Sequence, residues 1–240
     1  MVLTTYRKRK WLAFDPHRTY SRRYVDHFYE TLGGQISGEV LDVGAGSNNR
    51  AELKAITDGI SSYIALDIEF EESLDVVGDG ANLPFENGSF DTVVLSEVIE
   101  HVPVPDLPRI ANEVYRVLKP GGVLLASTPF VYPQHGPPDY ARHTPQSVEE
   151  LFHAAGFDDV VVYTGGGYTE TLLHVAYRPI VDLLEKVNAR TLGWAFAVPH
   201  YMGMLSSVLT HHLALGIAGR NPRADIWYLM TFTVARKTNQ

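Results

Sequence analysis

The segment 40–49, VLDVGAGSNN, constrains this chain more than any other stretch. It is a short, nearly continuous apolar run that passes directly into a glycine-rich turn. Such a run does not alternate between a wet and a dry side, so it is expected as a parallel strand covered on both faces. Gly44 and Gly46 allow the backbone to turn sharply and a ligand to approach without a Cβ in the way. The next apolar run, YIALD at 63–67, closes on Asp67, 23 residues after Gly44. That spacing suits a carboxylate accepting hydrogen bonds from ribose hydroxyls at the edge of a sheet. The two signals together describe a nucleotide-type pocket.

Two residues narrow the nucleotide. A dinucleotide fingerprint needs a third glycine, and Asn49 occupies that slot. Asp42, just before the first glycine, would repel a pyrophosphate; it suits a loop-orienting role or a cationic ligand. Ala45, between the glycines, belongs to the same turn.

Around this turn, strand and helix signals alternate. A helix is expected over 18–32, with Tyr20, Tyr24, Phe28 and Leu32 at helical spacing and Gly33-Gly34 as its stop. Strands are expected at 40–43, 63–66, 92–95 and 123–127. Helices are expected at 49–57, 107–118 and 147–155, the last capped by Thr144, opened by Pro145 and stopped by Gly156. Two later runs, 160–163 and 227–235, read as strands that pair at one edge. This is the βαβ alternation of a doubly wound α/β sheet. Residues 165–222 intervene before the last strand, divided by Pro179 and Pro199 into helical pieces; the piece 202–217 is apolar around much of its circumference. The expected division is a basic arm and cap helix at 1–35, a core at 36–164 and 223–240, and a helical insertion at 165–222.

Composition excludes several classes. There are no cysteines, so disulfides and thiolate metal sites are out, and a cytoplasmic setting is expected. No stretch reaches the roughly 18 apolar residues of a membrane span, and the basic N-terminus lacks the apolar segment of a signal peptide. The net charge of −8 conceals an asymmetry: the first 23 residues carry about +6 and the rest about −14. A nucleic-acid binder would be basic overall, so none is expected. The basic arm is either a solvated tail or a phosphate-meeting segment, and with the apolar insertion it raises peripheral contact with an anionic membrane face.

Read onward from Asp67, the chain contains GDGANLPF at 78–85, SFDTVVLSEVIEHV at 89–102 and VLKPGGVLLASTP at 117–129. With DVGAG at 42–46 these form an ordered set that resembles the class I S-adenosylmethionine-dependent methyltransferases of the type 11 kind, over residues 36–163. The resemblance implies a Rossmann-like, seven-stranded mixed sheet and S-adenosylmethionine as cofactor, with S-adenosylhomocysteine as product. It implies that Asp79 bonds the adenine amino group and that Gly80 and Ala81 present backbone to the ring, with Ile68 beside Asp67. Ser96 and Glu97 line the methionine end. Asn48 stands where many members carry glycine and contributes a side-chain contact. A pocket rich in acids and without a phosphate-binding lysine suits a sulfonium cation.

The loop 128–157 resembles, through PPDYARHT at 137–144, bacterial members acting on sugars and glycolipids. It packs His135, Asp139, Tyr140, Arg142 and His143 into nine residues after a parallel strand. A hydroxyl acceptor needs a base, so His135 and His143 are candidate bases and Asp139 a candidate orienter or base. The alternatives are an Asp139–Arg142 pair that braces the loop with solvent-facing histidines, and a metal held by His135, Asp139 and His143, although no metal is expected. His101 is read as a packing residue. The expected reaction is O-methylation of a sugar, a lipid-linked compound or another small hydroxyl compound. Its rivals are N- or carboxyl methylation, an inactive cofactor-binding partner subunit, and a nicotinamide-dependent oxidoreductase. The insertion is expected to serve as a lid, a membrane-facing surface or a homodimer contact.

Overall fold

The computed structural model describes residues 24–25, 28–29, 31–46, 59–136, 138–166, 171–172, 174–176, 228 and 230–238. The basic arm, the helix expected at 49–57, Asn48 and nearly all of the insertion lie outside the described residues.

Seven strands form one mixed sheet: β1 (Gly38–Val43), β2 (Ile60–Asp67), β3 (Val76–Val77), β4 (Phe90–Ser96), β5 (Leu118–Pro129), β6 (Asp159–Gly165) and β7 (Met230–Arg236). Their order is β3-β2-β1-β4-β5-β7-β6. The first five run parallel, and β7 lies antiparallel between β5 and β6. The four expected apolar runs are the centres of β1, β2, β4 and β5, and the two late runs pair with each other at one edge. β3 has no apolar run of its own; its two residues sit just ahead of the Gly78–Asp79 turn.

The alternation of β4 explains why these runs are continuous. Val93 and Leu95 enter one cluster with Leu41, Val43, Leu124 and Ala126, whereas Val94 enters the opposite one with Val40, Val123 and Leu125. Side chains one residue apart point to opposite faces, so a strand covered twice must be apolar throughout. The first face is covered by helices α1 (Leu107–Val117) and α2 (Pro145–Ala154). Helix α1 presents Leu107, Ile110, Ala111, Val114 and Val117, a stripe at helical spacing. Helix α2 starts where Thr144 Oγ1 accepts from Ser147 N at 3.2 Å, with Pro145 in the first turn. Helical residues between 24 and 32 cover the second face, and Phe28 stacks on Phe232 at 4.7 Å.

Among the described residues no helix is long and apolar enough to cross a membrane.

Candidate active site

In open α/β sheets the crevice beyond the carboxyl ends of the strands is the usual binding place. Here the ends of β1, β2 and β4, with the loops after β3 and β4, enclose a cavity of about 680 Å³. Its wall includes Gly44, Asp67, Ile68, Gly78, Asp79, Gly80, Ala81, Glu97, Val98, His101, Arg109, Gly136 and Tyr140.

The turn after β1 is held by the end of β2. Gly44 N and Ala45 N both donate to the Leu66 carbonyl, at 2.8 and 3.1 Å, and Gly46 N donates to Asp67 Oδ2 at 2.8 Å. Gly44 has φ +73°, and a Cβ there would stand 2.5 Å from Val98 Cγ2. Any other residue would be strained and would push Val98, itself a cavity-wall residue. Asp79 Oδ1 accepts from Ala81 N at 2.8 Å, which folds the adjacent loop onto its own carboxylate. The far end of that loop is tied to α1: Arg116 donates to the carbonyls of Leu83 and Phe85 at 3.0 and 2.7 Å, and Leu83 N donates to Glu113 Oε2 at 2.8 Å.

Glu97 ends β4 with φ +58°, the one non-glycine residue in that region among those described. Its backbone costs about 1–2 kcal/mol relative to an ordinary conformation. It is held by Glu97 N donating to the Ser127 carbonyl and Ser127 Oγ donating to Glu97 Oε1, both at 2.9 Å. The family resemblance already pointed to Glu97; its left-handed backbone is what the sequence did not show.

Of the residues expected at the cofactor, Gly44, Asp67, Ile68, Asp79, Gly80, Ala81 and Glu97 line the cavity. Asp42, Ala45, Gly46 and Ser96 do not. Asp42 is fully buried and accepts from Tyr63 Oη at 2.6 Å, a bond between β1 and β2. Gly46 acts through its amide on Asp67. Ser96 Oγ lies 3.1 Å from Ser127 Oγ inside the sheet.

None of the three expected catalytic residues is among those that line the cavity. Asp139 is gripped by both terminal nitrogens of Arg142 and accepts from His135 N at 2.9 Å. The Arg142 hydrogen bonds hold its carboxyl well below the usual carboxylate range, so it braces the loop and is a poor proton acceptor. His143 is buried, and burial lowers its pKa while the Ile99 carbonyl opposes the shift. His135 is partly covered, with burial and then His101 lowering its pKa against Asp139. The bracing pair was among the expected alternatives; of the two histidines, His143 is buried and His135 is partly exposed.

The histidine that does line the cavity is His101. Its Nδ1 lies 2.6 Å from the Pro138 carbonyl. A carbonyl only accepts, so Nδ1 carries the proton and Nε2 of the neutral ring is left with a lone pair. Glu100 is fully buried beside it, and Thr128 Oγ1 donates to Glu100 Oε2 at 3.2 Å. Burial first, and the charge of Glu97 second, raise the Glu100 pKa well above normal. The signal for this pair was present in the sequence: two adjacent titratable residues just beyond the carboxyl end of a parallel strand.

The wall chemistry fits an adenosine carrying a sulfonium. Among the described residues five acids line it, Asp67, Glu69, Asp79, Glu97 and Asp106, against one permanent cation, Arg109, which is engaged with Asp106 at 3.5 Å. A pyrophosphate would meet repulsion from most of that wall.

Residues 41–126 match the family model described as a methyltransferase domain. A Mycolicibacterium smegmatis protein named a "probable S-adenosylmethionine-dependent methyltransferase" is 33% identical over 163 residues, 59% of this chain and 62% of its own length. A demethylmenaquinone methyltransferase of Staphylococcus epidermidis is 25% identical over 215 residues, 70% of this chain and 85% of its own. Among solved structures, Haemonchus contortus phosphoethanolamine N-methyltransferase 2 in complex with S-adenosyl-L-methionine superposes with a TM-score of 0.54. It is 20% identical and covers 90% of this chain and 52% of its own, a likeness of fold. The chain thus spans about three-fifths of the length of the first relative and about half of that structural neighbour. By its domain match over residues 41–126 and by these relatives, the chain is similar to S-adenosylmethionine-dependent methyltransferases.

Proposed function

We propose that this protein transfers the methyl group of S-adenosylmethionine to a hydroxyl of a sugar, a lipid-linked compound or another small acceptor. In this reading the cofactor lies along the acid-rich wall. Asp67 takes the ribose hydroxyls, Asp79 and the Gly80–Ala81 backbone take the adenine, and Glu97 faces the methionine end. The cofactor supplies an electrophilic methyl carbon with a good leaving group. The chain's own residues orient the acceptor, exclude water and take its proton.

The observation that carries the hydroxyl reading is His101. It offers an unprotonated Nε2 on the same wall as Asp67, Asp79 and Glu97, and an alcohol, unlike a carboxylate, needs such a proton acceptor as its oxygen attacks. Alignment of oxygen, carbon and sulfur provides most of the rate. A second reading, a quinone acceptor, is favoured by the similarity to a demethylmenaquinone methyltransferase.

The test is transfer of labelled methyl from S-adenosylmethionine to panels of sugars, lipid-linked hydroxyl compounds, quinones, amines and carboxylates. A methyl ether product is expected. A product methylated only on nitrogen, carboxylate or ring carbon overturns the hydroxyl reading. Calorimetric binding of NAD without S-adenosylhomocysteine overturns the cofactor assignment as well.

A further inference from the structure

Glu100, His101 and His135 bring one ligand atom each to a common point, all within 4.8 Å of one another. We propose that these three residues form a binding site for a divalent first-row transition-metal ion, zinc being the probe of choice, on the acceptor side of the cavity.

The first argument is a buried polar atom without a partner: Glu100 Oε1 has no hydrogen bond among the described residues. His135 Nδ1 is also buried and lies 3.5 Å from Asp139 Oδ2. His101 Nε2, 3.9 Å from Glu100 Oε1, carries a lone pair in the neutral ring because Nδ1 donates to the Pro138 carbonyl. An unpartnered buried polar atom is costly, and a bound cation would satisfy it. Arg142 acts on Glu100 and His135 through its charge, yet it makes no hydrogen bond to either. Its terminal nitrogens are spent on Asp139 and on the carbonyls of Tyr132, Pro133 and Ala141.

The second argument is the outer layer. Metal-binding imidazoles characteristically donate their other N–H to a carbonyl, and metal-binding carboxylates are themselves hydrogen-bonded. His101 meets the first condition through Pro138 at 2.6 Å, and Glu100 the second through Thr128 at 3.2 Å. Two imidazoles and one carboxylate form a donor set suited to zinc, iron or nickel rather than magnesium or calcium. Metal–ligand bonds of about 2.0–2.2 Å separate tetrahedral donors by about 3.4 Å, so the cluster tightens by roughly an ångström on binding. Three protein ligands leave positions open, as in catalytic rather than structural zinc sites. His101 and Gly136 both line the cavity, so the site adjoins the acceptor space.

The use of such an ion rests on the function proposed above; its binding does not. An ion held there would take the His101 Nε2 lone pair, so in the metal-loaded chain it would replace that nitrogen, and the proton would pass to solvent from an ion-bound acceptor hydroxyl. Its oxygen then forms the new bond to the methyl carbon, and sulfur keeps the electron pair of the broken carbon–sulfur bond.

The experiment uses the full chain without an affinity tag, stripped with chelator and dialysed against zinc, with no cofactor or acceptor present. One equivalent per chain is expected. Glu100→Gln and His135→Ala should each weaken binding about 100-fold or more, on the scale set by ligand-shell losses. His153→Ala, on the exposed face of α2, should leave it unchanged. X-ray absorption of the zinc-loaded native chain should show two imidazole nitrogens and at least one oxygen, a readout independent of whether the variants fold. Failure to bind zinc, a shell without imidazole, or equal affinity in folded Glu100→Gln and His135→Ala each overturn the proposal. Zinc binding without S-adenosylhomocysteine binding would instead overturn the functional reading and leave the site standing.

Discussion

The two ends of the cavity are built on different principles. At the proposed cofactor end, Gly44 and Asp79 sit in turns after β1 and β3 and Asp67 closes β2, held by Gly44 N on the Leu66 carbonyl, Gly46 N on Asp67 and Ala81 N on Asp79. At the acceptor end, Glu100, His101 and His135 come from two loops 35 residues apart, joined by Tyr140 N donating to the Glu100 carbonyl at 2.8 Å and by His101 on Pro138. The first end is backbone geometry dictated by local sequence. The second is a convergence of side chains that only the folded chain produces. The cofactor end should therefore fail through binding and the acceptor end through turnover.

His101→Ala should give the largest effect. It removes the proposed proton acceptor, so kcat should fall about 10²–10⁴-fold. Calorimetric affinity for S-adenosylhomocysteine should hardly move. His143→Ala is its control: a buried ring off the cavity, whose loss should lower Tm yet leave turnover per folded molecule near the parent's. Equal losses of kcat in the two variants would erase the proposed division of roles along this loop.

Gly44→Ala comes next and probes the other end. The added Cβ must meet Val98 Cγ2 at 2.5 Å with φ held at +73°. Strain and overpacking of this kind cost about 1–3 kcal/mol each. Affinity for S-adenosylhomocysteine should fall by at least about tenfold, one factor of ten per 1.4 kcal/mol, with kcat at saturating cofactor less affected. Asp67→Asn follows, because the amide keeps the shape but weakens a charged acceptor of the Gly46 N–H. A loss of about 1–2 kcal/mol in cofactor affinity is expected.

The contrast also explains what the sequence made legible. β1, β2, β4 and β5 could be read because burial on both faces forces continuous apolar runs, and the α2 start because Thr144 caps within three residues of itself. Asp67 could be placed because it closes an apolar run 23 residues after Gly44, and Asp79 through the family resemblance of GDGANLPF. Asp42 could not. The alternation of β1 sends it to the face opposite Leu41 and Val43, where Tyr63 from β2 covers it. β3 was hidden because two residues carry no period. His101 was read as a packing residue because its partner, the Pro138 carbonyl, lies 37 residues away, and His135 and His143 were read as candidate bases because a hydroxyl acceptor needs one. Glu97 was expected from the family resemblance; only its φ was not legible.

The smallest effect expected concerns the support beneath the cofactor end. Arg116 joins Glu113, by Nε to Oε1 and Nη2 to Oε2 both at 2.7 Å, and holds the Leu83 and Phe85 carbonyls. These bonds depress the pKa of Glu113. A carboxyl with a lowered folded pKa contributes stability that is complete above its unfolded value, about 4.3, and is lost as pH falls through the folded value. The pair is partly exposed, so the contribution is about 1 kcal/mol or less. Arg116→Ala should therefore lower stability in denaturant titrations at pH 7 and flatten the loss of stability between about pH 5 and 3. Because Leu83 and Phe85 continue the loop that carries Asp79 and Ala81, the same variant should weaken S-adenosylhomocysteine binding while sparing kcat. A fall in kcat with affinity intact would mean that α1 supports the acceptor end instead, and that the two ends of the cavity are not separately held.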